Sequence, residues 1–173
     1  MDGLGALLTY PQLQNTLRIE FARARRYTFP LCCLVLQVDG IDRIRDLHGS
    51  APRDQALGHV VKMIQAQARA SDSVALYQDR IAVVLPHTDA AGARSFAERV
   101  REQVRREVFR FGGKEIRFTV SIGLSNYAER TTIFYDSILK TAESALLAAS
   151  TAGGDRIETA VPGPAQGTTP PSA

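Results

Sequence analysis

Arginine is the main chemical resource of this chain. The 21 basic residues include only the lysines Lys62, Lys114 and Lys140, which leaves 18 arginines. A guanidinium presents a planar fork of donors that suits phosphates, carboxylates and guanine edges. GC-rich coding also supplies arginine by default, so position rather than number must assign a role. The other reactive side chains are sparse. Cys32 and Cys33 are adjacent within the apolar run Leu31 to Leu36. Neighbouring strand side chains point to opposite faces, which disfavours a bridge between them. His48, His59 and His87 show no metal-ligand spacing with these cysteines, so no zinc site is read here. Both thiols are expected to be buried and structural, in a reducing cytoplasm.

These residues need a scaffold, and the chain is large enough for one domain. It has 173 residues, 45% hydrophobic and 23% charged, with a formal charge of +3. That mix excludes a disulfide scaffold, a membrane span and a wholly disordered chain. No basic segment followed by an apolar stretch opens the sequence, so no signal peptide is read and a cytoplasmic location is expected. The sequence pI is about 9.1. Arginines alternate with glutamates along the helical segments rather than forming a run, so nucleic acid is not an expected partner.

Periodicity supplies the elements. Thr9-Tyr-Pro-Gln12 has the form of a capping box with proline in the first turn. Leu13, Leu17 and Phe21 then recur at helical spacing, with Arg18, Arg23, Arg25 and Arg26 on the wet face. Leu31 to Asp39 is apolar almost throughout, as a buried strand is. A short helix is predicted from Ile41, and a longer one from Ser50 and Pro52 carrying Leu57, Val60, Val61, Ile64 and Ala68. Ser73 to Leu85 is predicted as a hairpin interrupted only by Gln78-Asp79-Arg80, unusual for lacking Gly or Asn.

Phe96, Val100, Val104 and Val108 mark a third long helix, and Gly112-Gly113 a turn. Ile116, Phe118, Val120, Ile122 and Leu124 alternate as a half-buried strand does. Ile138, Ala142, Ala145, Leu146 and Ala149 line a last helix, which Gly153-Gly154 ends, and a short strand is predicted over Arg156 to Thr159. The prediction is an α/β domain over 1–159: a mixed, mostly antiparallel sheet with a βαββαβ core flanked by helices. Residues 160–173 hold four of the eight prolines and are expected to form a disordered Pro/Gly/Thr-rich tail.

Five segments, in order, resemble the GGDEF domain of bacterial diguanylate cyclases, which have a nucleotidyl cyclase or palm-like fold and condense two GTP into cyclic di-GMP. Asp2 to Leu7 stands where the family writes DxLTGL. Leu36 to Asp54 follows LDIDHFKxINDTYGHxxGD without a gap. Tyr77-Gln78-Asp79-Arg80-Ile81, then Val83 to Pro86, takes the place of the signature hairpin. Ala97 to Arg101 resembles AERIR, and Phe118 to Gly123 resembles FTVSIG.

The resemblance implies two metal ions beneath a GTP triphosphate, yet several family positions carry other residues here. The first metal carboxylate falls on Gln37, a poor ligand for a hard cation. The guanine-reading Asn falls on Arg45, although its partner carboxylate is present as Asp54. The signature is one residue shorter than GGDEF and has neither glycine. Gln78 stands where the turn backbone would approach the nucleotide, Asp79 takes the third signature position, and Arg80 puts a cation at the fourth. The phosphate-binding Lys and Arg of the family fall on Ser150 and Gly154. The expectation is a domain without cyclase activity, resident metal or cofactor. Asp39, Asp42 and Asp46 are not read as a metal site.

Many family members also bind cyclic di-GMP at an inhibitory site whose RxxD motif ends five residues before the signature. Arg69-Ala-Ser-Asp72, followed by Ser73 to Tyr77, keeps both motif and spacing. Arg99 matches the supporting arginine of the family. Arginine forks can take the O6/N7 edge of guanine or stack on its face, and a carboxylate can accept from its N–H groups. A second RxxD, Arg43 to Asp46, lies elsewhere, so the motif alone is weak. Two further possibilities stand beside a cyclic di-GMP effector or scaffold. Arg69 and Asp72 could merely finish a helix and cap the next turn, in a domain that binds only a protein partner or its own copy. Residual cyclase activity is the third.

Overall fold

The computed structural model describes residues 7–129, 132 and 134–162. The elements in chain order are α1 (Tyr10–Tyr27), β1 (Leu31–Val38), α2 (Ile41–His48), α3 (Ser50–Gln67), β2 (Ser73–Tyr77) and β3 (Arg80–Pro86). They continue with α4 (Ala90–Arg106), β4 (Phe109–Phe111), β5 (Lys114–Ile116), β6 (Val120–Asn126), α5 (Asp136–Thr151) and β7 (Ile157–Ala160). Strand order in the main sheet is β2-β3-β1-β6-β7. β1 runs antiparallel to both β3 and β6, and only β6–β7 is parallel. The predicted mixed sheet and βαββαβ core are present.

Alternation along β1 divides the core. Cys32, Leu34 and Leu36 join Val60, Ile64, Phe96 and Val100 on the side of α3 and α4. Leu31, Cys33 and Val35 join Leu13, Leu17, Phe21, Ile138 and Leu146 on the side of α1 and α5. Both thiols are free and buried, one in each half of the core. Helix α1 starts as its sequence directs: Gln12 N–H donates to Thr9 Oγ1 at 3.4 Å, and Thr9 N–H donates to Gln12 Oε1 at 2.9 Å.

Four expectations are corrected. Helix α4 stops at Arg106, so Val108 lies in the following link, not in the apolar stripe. The chain between Ile116 and Leu124 is not one strand. Ile116 closes a separate two-stranded hairpin, β4–β5, that turns at Gly112-Gly113, and Phe118 lies in a link. β6 is buried on both faces rather than half-buried, from Val120 to Ser125. Gly123 permits this, since a Cβ there would lie 2.1 Å from the Ala142 carbonyl oxygen of α5. Finally, Ala160 is not tail: it pairs with Ser125 as the last residue of β7. The tail expected beyond it lies outside the described residues from 163 onward, as do residues 2–6 of the Asp2 to Leu7 segment.

The β2–β3 turn has two residues, with Arg80 already paired to Tyr77 in the ladder. Gln78 (φ 46°) and Asp79 (φ 64°) both adopt left-handed backbone, as a tight two-residue hairpin requires. Non-glycine residues carry that conformation at about 1–2 kcal/mol each. Gln78 is exposed, so Gln78→Gly is expected to raise stability by about 0.5–1 kcal/mol in urea unfolding, after glycine's own chain-entropy cost.

The thiols yield a pH prediction. Burial, with a smaller contribution from Asp89, pushes the Cys32 thiol up to about 12, and burial pushes Cys33 up as well. An unfolded thiol ionises near about 8.5. The thiol contribution to stability is therefore constant below that pH and declines as pH rises toward 12. Neither cysteine should react with a thiol reagent at pH 8 until the chain is unfolded, and the urea midpoint should fall between pH 8.5 and 10.5.

Candidate functional site

Helix α3 ends at Gln67, and the chain turns through Arg69 to Asp72 before entering β2. The Asp72 carboxylate closes this turn: Oδ2 accepts from the Arg69 backbone N–H at 2.8 Å, while Asp72 N–H donates to the Arg69 carbonyl at 3.0 Å. The Asp72 side chain is only 1% exposed. Its Oδ1 lies 3.6 Å from Arg69 Nη2, too far for a hydrogen bond, and has no hydrogen-bond partner. Arg69 is 55% exposed, but its guanidinium is anchored. Nη2 donates to the Pro86 carbonyl at 3.1 Å and to Thr88 Oγ1.

Arg99 approaches from α4. Its Nε donates to Gln67 Oε1 at 3.4 Å, and its guanidinium carbon lies 5.9 Å from the centroid of the Phe96 ring. Arg69, Asp72 and Arg99 line one cleft of about 380 Å³, together with Gln67, Thr88 and Phe96. The fold thus brings together the three residues that the sequence suggested for a ligand. The cleft is lined by two cations and by a carboxylate with one buried oxygen that lacks a donor. A planar ligand with N–H donors and anionic groups would match all of these.

The second RxxD behaves differently. Arg43 makes no ion pair among the described residues, and Asp46 pairs with its neighbour Arg45 at 3.6 Å. Equal spacing has produced no comparable pair there, because both residues stand on the exposed face of α2.

The remaining positions singled out in the sequence gather at the opposite end of β1. Gln37 sits in register between Arg80 of β3 and Ser121 of β6. Arg45 pairs with Asp42 at 3.3 Å on α2. Asp54, at the start of α3, accepts from Arg53 Nη1 at 2.7 Å. The other nitrogen of that fork, Nη2, donates to Asp79 in the hairpin turn. Arg53 therefore joins the two carboxylates, and the hydrogen bond to Asp79 is the largest influence raising its pKa. Arg80 donates to Glu143 Oε2 of α5 at 2.9 Å. Gln78 is exposed at the turn, and Ser150 is exposed near the end of α5.

Gly154 has φ 76°, and a Cβ there would lie 2.9 Å from the Asp39 carboxyl carbon. Asp39 is itself saturated by Thr119 Oγ1 (2.7 Å), Ser121 Oγ (2.6 Å) and the Asp155 N–H (2.9 Å). It fastens the approach to β7 and is not grouped with Asp42 and Asp46. Among the described residues no group of three or more His, Cys, Asp or Glu is placed to hold a metal ion.

Sequence reasoning missed Arg53, Glu143 and Thr88. Arg53 stood beside a marked carboxylate, but its reach to Asp79 crosses 26 residues. Nothing in the spacing linked Arg80 to Glu143 across 63 residues, or Arg69 to Thr88 across 19.

No helix among the described residues is long and apolar enough to cross a membrane. Comparison with known proteins agrees with the topology. Diguanylate cyclase A of Treponema denticola is 36% identical over 98 residues, which is 56% of this chain and 26% of that protein. The chain spans 26% and 24% of the length of two curated relatives, so it matches only a part of each. The GGDEF domain of DgcB from Caulobacter crescentus, solved in complex with c-di-GMP, superposes with a TM-score of 0.84. Its identity of 23%, over 92% of this chain and 94% of that one, speaks for the fold alone. Diguanylate cyclase SiaD of Pseudomonas aeruginosa, solved with its activator SiaC, gives a TM-score of 0.83 at 26% identity, over 92% of this chain and 61% of that one. The model of the diguanylate cyclase GGDEF domain matches residues 1–156. The chain belongs to the GGDEF domain family.

Proposed function

We propose that this GGDEF domain does not cyclise GTP and acts instead as an effector that holds cyclic di-GMP in the cleft of Arg69, Asp72 and Arg99. The observation that carries the ligand assignment is the Asp72 carboxylate. It is buried, one oxygen is spent on its own turn, and the other has no hydrogen bond, in a residue that lines two clefts. A buried acceptor without a donor is costly. The N–H groups of a guanine edge would supply that donor, while Arg69 and Arg99 would take the phosphates, the O6/N7 edge or the base face.

The loss of catalysis rests on donor chemistry at the other end of β1. Two divalent ions need hard anionic oxygens. Gln37 is neutral, Arg80 is cationic and paired to Glu143, and the carboxylates of Asp54 and Asp79 already share the guanidinium of Arg53. The residues present do not fit the two-metal arrangement of the family.

A second possibility has its own observation. Asp72 Oδ2 and Arg69 Nη2 are already engaged within the chain, as a purely structural turn would require. On that account the domain presents a surface to a protein partner or to a second copy and binds no nucleotide.

Calorimetry separates the two. Cyclic di-GMP should bind the wild-type domain, and Arg69→Ala should weaken binding at least about tenfold, the loss expected for a charge-assisted pair. An absence of heat at high micromolar ligand would leave only the protein-binding account. Incubation with GTP and magnesium or manganese for hours should yield no cyclic di-GMP, and measurable product would overturn the assignment as a non-enzyme.

A further inference from the structure

Resting on the cyclic di-GMP assignment above, we infer that Thr88 is the positioning residue of the cleft, whose hydroxyl holds the Arg69 guanidinium ready for ligand. Arg69 is a long, half-exposed side chain, and free in solution it would sample many rotamers. Ordering it on binding costs free energy that a prearranged side chain does not incur.

Its contacts show how it is held. All three recorded contacts of the guanidinium use Nη2: to Pro86 O, to Thr88 Oγ1 and, as an ion pair, to Asp72 Oδ1. Nε and Nη1 keep their donors without a partner among the described residues. The side chain is thus anchored by one corner and keeps its remaining donors for a ligand.

Thr88 is suited to this because it is itself fixed. Its hydroxyl donates to Pro86 O at 3.1 Å, which turns an oxygen lone pair toward Arg69. Its backbone N–H donates to Pro30 O at 3.3 Å, and its carbonyl accepts from Cys32 Sγ at 3.2 Å. The left-handed His87 (φ 54°) redirects the chain at the end of β3 so that Thr88 faces the cleft. The central strand β1 therefore sets the location of the hydroxyl, and the hydroxyl sets that of Arg69.

Cyclic di-GMP titrations of wild type, Thr88→Val, Thr88→Ser and Arg69→Ala test this, with thermal unfolding of each variant as a control. Thr88→Val leaves the backbone donor and acceptor in place and exchanges the hydroxyl for a methyl group. It should weaken binding about five- to tenfold, within the net worth of an ordinary hydrogen bond. Thr88→Ser should bind within about twofold of wild type. In the Arg69→Ala background, Thr88→Val should have no further effect, since there is no guanidinium left to position.

Equal binding by Thr88→Val and wild type would overturn the inference while leaving the ligand assignment intact. So would an unrescued Thr88→Ser, or a Thr88→Val loss that persists without Arg69. Failure of the wild-type protein to bind overturns both. If Thr88→Val does not fold, Thr88→Ala replaces it with the same expected loss.

Discussion

The burial of β1 on both faces is the constraint on which the molecule depends. Between β3 and β6 in the sheet, with helices above and below, it exposes almost nothing from Leu31 to Leu36. A strand so placed has no room for charged side chains along its length. Polar chemistry is driven to its two ends, where the chain enters at Pro30 and leaves at Asp39. The same enclosure requires α5 to press on β6, which Gly123 permits, and keeps the two adjacent cysteines in separate halves of the core.

The two ends have met this differently. Where β1 leaves the sheet, charges are matched within the chain. Asp39 is saturated by two hydroxyls and an amide, Asp54 and Asp79 share Arg53, and Arg80 has Glu143. Where β1 enters, Asp72 Oδ1 has no hydrogen bond and Arg69 is held by one corner, and at the other end Arg53 Nε and Tyr77 OH are likewise without a hydrogen-bond partner among the described residues. The proposed ligand assignment rests on the entry end, where an open cleft is lined by Arg69, Asp72 and Arg99.

Much of this was legible in the chain. The capping box at Thr9 and Gln12, the apolar run of β1 and the stripes of α1 and α5 fixed element type because one local period dominates each of them. The errors arose where period and context part. Val108 continues the helical stripe of α4, but the chain has already turned toward the β4–β5 hairpin. The alternation from Ile116 to Leu124 looks like one half-buried strand, but two separate sheets and a link share it. Alternation records which side chains face inward, and it carries no information on which sheet they face.

For the candidate sites, the sequence by itself determined which residue types stand where: a Gln at position 37, a cation at position 80, and an RxxD placed before the hairpin. Local backbone spacing is sufficient for such statements. Only the tertiary structure decided which side chains meet, because contacts such as Arg53 with Asp79, Arg80 with Glu143 and Arg69 with Thr88 join distant segments. The two RxxD motifs make the point. Identical in spacing, one has its carboxylate buried beneath a turn at a cleft and the other lies on an exposed helix face, since burial is set by what packs around a motif and not by the motif.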